Sequence, residues 1–105
     1  MTDNWIEACA ADAVSKDDVL RFDHGDMTFC IYRTSDDRYY ATGGLCTHAG
    51  FHLSSGFVMD HIIECPKHNG RFDFTTGQAK GAPACTNLRT YPVKVKAGKI
   101  YLNPA

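Results

Sequence analysis

The chain has 105 residues, of which 44% are hydrophobic and 22% are charged, a composition typical of one globular domain with a modest core. Its net charge is −1, so the basic patch of a nucleic-acid-binding protein is not expected. No apolar run approaches the roughly 20 residues that cross a bilayer, and the first residues lack the pattern of a signal peptide. The 5 cysteines, an odd number, therefore indicate reduced thiols, and we expect a cytoplasmic protein that does not bind membranes.

Short segments rich in β-branched and aromatic residues recur along the chain, separated by turn residues. In chain order the predicted strands are residues 4–9, 19–22, 27–34, 38–42, 57–59, 62–64, 71–74, 88–95 and 99–102. No segment of ten or more residues shows a helical 3.6-residue period. The sequence therefore predicts an all-β sandwich or barrel, in which the first strand pairs with the last.

The segment 27–34 alternates with a period of two residues. Phe29 and Ile31 alternate with Cys30 and Tyr32, so both faces of the strand are apolar. A strand with two apolar faces is expected to be central.

Three further features of the sequence concern loops and a strand irregularity. Residues 54–56 are small and polar and predict a loop, and residues 81–84 predict a rigid segment with few side-chain atoms. Pro92, inside the predicted strand 88–95, indicates an edge position or a bulge.

Four candidate metal ligands fall in two matched pairs. Cys46 and His48 form a C-x-H pair, and Cys65 and His68 form a C-x-x-H pair, with sixteen residues between the pairs. Two Cys and two His can hold one tetrahedral zinc ion, or a 2Fe-2S cluster in which two His replace two Cys on one iron. A zinc finger normally groups Cys with Cys and His with His. Here each loop supplies one of each, an order that suits a dinuclear cluster held between two loops.

The two boxes, C-T-H and C-P-K-H, and the run RFDFTTGQAKGAPACTNLRTYPVKV after them resemble Rieske-type ferredoxins. The pattern is similar to that of the small ferredoxins that supply electrons to ring-hydroxylating oxygenases. The resemblance covers nearly the whole chain. It implies a 2Fe-2S cluster with Cys46 and Cys65 on one iron and His48 and His68 on the other.

The resemblance also implies the layout of the fold. Residues 1–105 would form a single Rieske domain, with a base barrel or sandwich built from residues 1–42 and 87–105. A smaller cluster-binding β subdomain, about 43–86, would be inserted into that base, with a proline-containing loop packed over the cluster.

The implied function is that of a one-electron carrier and not of an enzyme. The carrier would take electrons from a flavin-containing, NAD(P)H-dependent reductase and pass them to a terminal Rieske oxygenase. Beyond the cluster ligands, the sequence shows no 2-His-1-carboxylate set for a mononuclear iron site. Two alternatives remain open: a Rieske-type small subunit of a larger reductase, such as a nitrite reductase, and a zinc-stabilised interaction module.

Three residues indicate the class of Rieske centre. Respiratory Rieske proteins carry a third, disulfide-bonded Cys in each box, where this chain has Phe51 and Lys67. They also carry a Ser that hydrogen-bonds a cluster sulfur, where this chain has Gly70. Because hydrogen bonds to sulfur stabilise the reduced cluster, their loss predicts a low potential, on the order of −150 mV.

The remaining His and Cys residues are interpreted more simply. His24 is expected in a turn, Cys9, Cys30 and Cys85 are expected as small core residues, and His52 and His61 are weaker ligand candidates than His48 and His68. Phe51 and His52 depart from the family pattern. They predict either a docking surface beside the cluster or a partly buried Phe next to a solvated His.

Overall fold

The computed structural model describes residues 4–47, 50–67, 70–81 and 86–105. These residues form strands and two short 3₁₀ helices, Ala11–Ala13 and Leu53–Ser55, with no α-helix among them. The strands are β1 (Ile6–Ala10), β2 (Asp18–His24), β3 (Met27–Arg33), β4 (Tyr39–Gly43), β5 (Phe57–Met59), β6 (Ile62–Glu64), β7 (Arg71–Asp73), β8 (Ala79–Gly81), β9 (Thr90–Tyr91), β10 (Val93–Lys96) and β11 (Lys99–Leu102). The all-β prediction is therefore confirmed. Across these residues there is no helix of the length and apolar character that a membrane span requires.

The described strands form three antiparallel sheets, in the orders β1-β11-β10, β2-β3-β4-β9 and β5-β6-β7-β8. The first sheet joins the two ends of the chain, because β1 pairs with β11 as the sequence predicts. The third sheet comes entirely from residues 57–81. The bounds 43–86 for a cluster-binding subdomain stay a prediction.

Strand β3 lies in the middle of its sheet and separates two hydrophobic cores. Phe29 and Ile31 pack into a base core with Ile100 and Leu102 of β11. Cys30 and Tyr32, on the opposite face, pack into a second core under the third sheet. The Tyr32 ring stacks on the Phe74 ring, with 4.3 Å between their centroids. The predicted central strand is thus confirmed, and one of its faces packs against the third sheet.

The predicted strand 88–95 is wrong as a single strand, because Pro92 divides it. Before the proline, β9 pairs with β4 in the second sheet; after it, β10 pairs with β11 in the first sheet. Proline has no backbone N–H to donate to a ladder, so the pairing stops there and the chain crosses from one sheet to the other.

Strand β8 was not predicted, because Ala79, Lys80 and Gly81 are all poor strand formers. It pairs with β7 across an irregular register. The turn between β7 and β8 positions it: the Gly77 N–H donates to the Asp73 carbonyl at 2.7 Å, and the φ of Gly77 is +82°. Of the predicted rigid segment 81–84, residues 82–84 lie outside the described residues.

Candidate metal centre

The two candidate Cys ligands lie at the start of two similar hairpin tips. The first tip has Leu45 bridged to His52 at its base, and the Cys46 N–H donates to the Phe51 carbonyl at 2.8 Å. The second has Glu64 paired with Arg71 at its base. We call residues 46–51 the first ligand loop and residues 65–70 the second ligand loop.

The closing hydrogen bond of the second ligand loop repeats that of the first. The Cys65 N–H donates to the Gly70 carbonyl at 2.7 Å, again to a residue five positions further along the chain. At the base of this loop an ion pair joins Arg71 Nε to Glu64 Oε1 at 2.9 Å. The backbone of each cysteine is therefore held by a hydrogen bond within its own loop.

The structure brings Cys46 and Cys65 together in the second core. Their relative exposures are 2% and 0%, although they come from different hairpins. Burial raises the pKa of the Cys65 thiol, the Lys67 backbone N–H lowers it, and the neighbouring Cys46 thiol raises it again. Both belong to the four described cysteines, which form no disulfide. Two buried, adjacent thiolates are costly unless a cation compensates their charge, so this pair fits one side of a thiolate-bound metal group.

His48 and His68 lie outside the described residues, so their role as ligands stays a prediction. Cys85 lies outside them as well. Within the described part of the chain, no group of three or more His, Cys, Asp or Glu side chains could hold a metal ion.

The side chain of His52 is directed into the protein. Of the two alternatives for Phe51 and His52, the one with a solvated His is therefore wrong. Its Nε2 lies 2.7 Å from Thr28 Oγ1, and its Nδ1 lies 3.8 Å from Cys30 Sγ. The Ser54 N–H donates to Nδ1 at 3.2 Å, which places the ring proton on Nε2, where it is donated to Thr28. Burial lowers the pKa of His52, as expected for a neutral ring in this position.

This contact continues to the protein surface. The Thr28 hydroxyl donates to Asp23 Oδ1 at 2.5 Å, and Arg21 Nε donates to the same carboxylate. Gly44 is needed beneath the ring, because a Cβ there would lie 2.6 Å from His52 Nε2. His52 also caps the 3₁₀ helix Leu53–Ser55, which occupies most of the predicted loop. The end of the first ligand loop is thereby fixed to β2 and β3.

Phe51 faces the other way, and its ring is 44% exposed. Lys67 Nζ of the second ligand loop lies 5.2 Å from the centre of that ring. Phe51 and Lys67 stand at the positions that carry a disulfide in respiratory Rieske proteins. In this chain the two side chains are in contact through a cation–π interaction. Gly70 stands where respiratory Rieske proteins carry a Ser. It is buried, and it offers a backbone carbonyl but no hydroxyl.

The other candidates occupy structural positions. His61 lies in the turn between β5 and β6, with its ring 6.2 Å from Phe74. Cys30 is fully buried, as predicted, and burial raises its pKa to about 12. Cys9 is half-buried against the base core, and His24 ends β2 at the Gly25 turn. The inward contact of Cys30 with His52 was not predicted, because the direction of a loop side chain leaves no periodic signal in the sequence.

Comparisons with known proteins identify the family of this chain. The Rieske [2Fe-2S] domain matches residues 4–92. The ferredoxin component of the naphthalene 1,2-dioxygenase system from Pseudomonas aeruginosa is 39% identical over 103 residues, 98% of each chain. The solved complex of reduced oxygenase and oxidized ferredoxin in carbazole 1,9a-dioxygenase contains a chain with a TM-score of 0.90 and 33% identity, covering 97% of this chain and 94% of that one.

A third protein is similar in fold alone. A structure described as the small subunit of an NADH-dependent nitrite reductase from Mycobacterium tuberculosis has a TM-score of 0.84 at 22% identity, covering 97% of this chain and 96% of that one. The paired buried cysteines, the two matched loops and the whole-length similarity lead to one assignment. The chain belongs to the Rieske 2Fe-2S domain family, holds one Rieske cluster, and is similar to the ferredoxin components of ring-hydroxylating dioxygenase systems, which are electron carriers and not enzymes.

Proposed function

We propose that this protein carries single electrons from a flavin-containing, NAD(P)H-dependent reductase to a terminal Rieske oxygenase. When bound, the cluster supplies a centre that accepts and gives up one electron at a time. We propose Cys46, His48, Cys65 and His68 as its four ligands. The observation that carries this proposal is the buried pair of Cys46 and Cys65, each of which donates its backbone N–H to the carbonyl five residues further along the chain.

The names of similar proteins support the choice of partners. The Pseudomonas aeruginosa relative is the ferredoxin component of a dioxygenase system, and it matches along 98% of its length. The solved carbazole 1,9a-dioxygenase complex pairs an oxidized ferredoxin with a reduced oxygenase. The similarity to the nitrite reductase subunit is a likeness of fold alone, so a reductase-subunit role has less support. A cytoplasmic location is also proposed, because the four described cysteines form no disulfide.

The residues around the cysteines support a low-potential carrier. Gly70 contributes no hydroxyl to the second ligand loop, and Phe51 and Lys67 stand at the positions where respiratory Rieske proteins carry a disulfide. With fewer donors to stabilise the reduced cluster, we propose a midpoint potential on the order of −150 mV, near the bottom of the Rieske range.

Reconstitution tests the carrier role. The purified holoprotein is combined with reductase and oxygenase candidates encoded near it, and NADH-dependent hydroxylated product is measured. We expect product only when the carrier is present. His48→Ala and His68→Ala should each abolish transfer and remove the visible iron–sulfur spectrum, whereas His61→Ala, in an exposed turn, should keep both.

Two outcomes would contradict the proposal. Full transfer by either ligand variant would show that the ligand assignment is wrong. A colourless wild-type protein containing one zinc ion would show that the site is a zinc module and not an electron carrier.

A further inference from the structure

The Lys67 ammonium group lies over the Phe51 ring, so these two side chains connect the two ligand loops outside the core. We propose that this pair is a noncovalent clamp that holds the loops together and slows release of the cluster. The proposal rests on the ligand assignment given under the proposed function. It makes Phe51 and Lys67 positioning residues, which act on the cluster through the cysteines beside them.

Each clamp residue lies close to the cysteine of its own loop. The Phe51 carbonyl accepts the Cys46 N–H at 2.8 Å. Lys67 follows Cys65 by two residues, inside the loop that the Cys65 N–H closes by donating to the Gly70 carbonyl at 2.7 Å. A displacement of either clamp residue therefore shifts the cysteine of its own loop.

The clamp joins the described parts of the two loops outside the core, which the contacts at the base of each loop do not do. The base of each loop is fixed within its own hairpin, by the Leu45–His52 bridge in one case and the Glu64–Arg71 pair in the other. These contacts hold each tip in shape but do not join one tip to the other. The Lys67 ammonium, 5.2 Å from the Phe51 ring centre, does join them. Opening the loops to release the cluster breaks this contact, so the contact adds to the barrier for release.

A double-mutant cycle on cluster release tests the clamp. The oxidised holoprotein is mixed with an iron chelator, and the loss of visible absorbance is followed for wild type, Phe51→Ala, Lys67→Met and the double variant. We expect each single variant to lose its cluster about two- to fivefold faster, the effect of one partly exposed cation–π contact. The double variant should be no faster than the faster single variant. Phe51→Trp and Lys67→Arg preserve the contact and should restore the wild-type rate.

Two control variants separate the clamp from general effects of charge and exposed aromatic surface. Lys94 lies 4.4 Å from the centre of the Trp5 ring, a cation–π pair remote in sequence from the ligand loops. Phe57 is 63% exposed on β5. Lys94→Met and Phe57→Ala should both release the cluster at the wild-type rate.

The outcomes distinguish the clamp from the proposed function. Starting cluster content reports on the carrier assignment, and the release rate reports on the clamp. Normal cluster content with unchanged single-variant rates, or with single effects that multiply in the double variant, would overturn the clamp alone. A wild-type protein without an iron–sulfur spectrum would overturn both.

Discussion

Phe51 and His52 are adjacent in the sequence but have opposite roles in the structure. His52 is fixed inward against Thr28 and Cys30, and Phe51 is 44% exposed beside Lys67. The spacing of Cys46 and Cys65 could be interpreted from sequence because metal chemistry restricts ligand type and order. The direction of His52 could not be predicted, because it depends on Gly44 leaving space for the ring and on Ser54 offering its N–H.

Removing the His52 side chain should destabilise the protein. His52→Ala leaves the Ser54 N–H and the Thr28 hydroxyl without their ring partner, and a lost buried hydrogen-bonding group costs about 1–3 kcal/mol. We expect the apparent Tm of the holoprotein, followed by circular dichroism at a fixed scan rate, to fall by at least about 4 °C. His24→Ala, at the exposed end of β2, is the matched control and should change stability by less than about 0.5 kcal/mol. Equal shifts for the two variants would show that the inward anchor contributes nothing.

Asp23 should give a pH-dependent contribution to stability. The Thr28 hydroxyl, and then the Arg21 guanidinium, hold the pKa of the Asp23 carboxyl below its usual value. A folded-state pKa below the unfolded value means that the stabilisation is complete above the unfolded pKa of about 3.9 and is lost as pH falls through the folded pKa. Asp23→Asn should therefore lower the apparent Tm at pH 7, and the difference from wild type should shrink below about pH 4.

The test is the difference in Tm between wild type and Asp23→Asn, measured from about pH 7 to pH 3. Both proteins share every other acid-sensitive group, so a change in this difference with pH reports on the Asp23 carboxylate. Asp26→Asn, in the neighbouring turn, controls for the loss of one surface charge. A difference for Asp23→Asn that stays constant across this range would contradict the hydrogen-bonded role of the carboxylate.

The elements of the fold were predictable where alternation and turn chemistry agreed. The hairpins around Gly25, Asp60 and Gly98 follow from residues that tolerate positive φ, and all three positions have it. Prediction failed where backbone contacts outweigh side-chain preference. Strand β8 forms from weak strand formers because it pairs with β7, and Pro92 divides a segment in which Thr90, Tyr91, Val93 and Val95 favour a strand.

Replacement of Gly77 should disturb the turn between β7 and β8. Its φ is +82°, and a Cβ there would lie 2.2 Å from the Leu88 carbonyl oxygen, while its own carbonyl accepts the Leu88 N–H at 2.7 Å. Gly25 also has a positive φ, +59°, but no atom lies within 4 Å of a Cβ placed there. Gly25→Ala should cost about 1–2 kcal/mol from backbone strain alone. Gly77→Ala should cost about 1–3 kcal/mol more, because the added methyl also collides with the backbone.

Thermal unfolding of the two glycine variants beside wild type measures this difference. A Gly77→Ala protein no less stable than Gly25→Ala would show that the segment at Leu88 can move away from the β7–β8 turn. That result would contradict the tight joint between the third sheet and the returning chain.

For the molecule as a whole, the two cores on either side of β3 explain how a small chain can hold a metal group. The base core joins the chain ends through β1 and β11, and the second core contains Cys46 and Cys65 along with Tyr32 and Phe74. The sequence predicted this central strand from the apolar character of both its faces. It could not predict the matching closure of the two ligand loops, because a hydrogen bond between backbone groups places few demands on the side chains involved.

The proposed carrier role requires one low-potential Rieske cluster in this fold. A redox titration of the purified protein, followed by electron paramagnetic resonance, measures that cluster. We expect one reducible 2Fe-2S centre per chain with a midpoint potential on the order of −150 mV. A midpoint potential above about zero would contradict the low-potential assignment, and the absence of a reducible iron–sulfur signal would contradict the carrier itself.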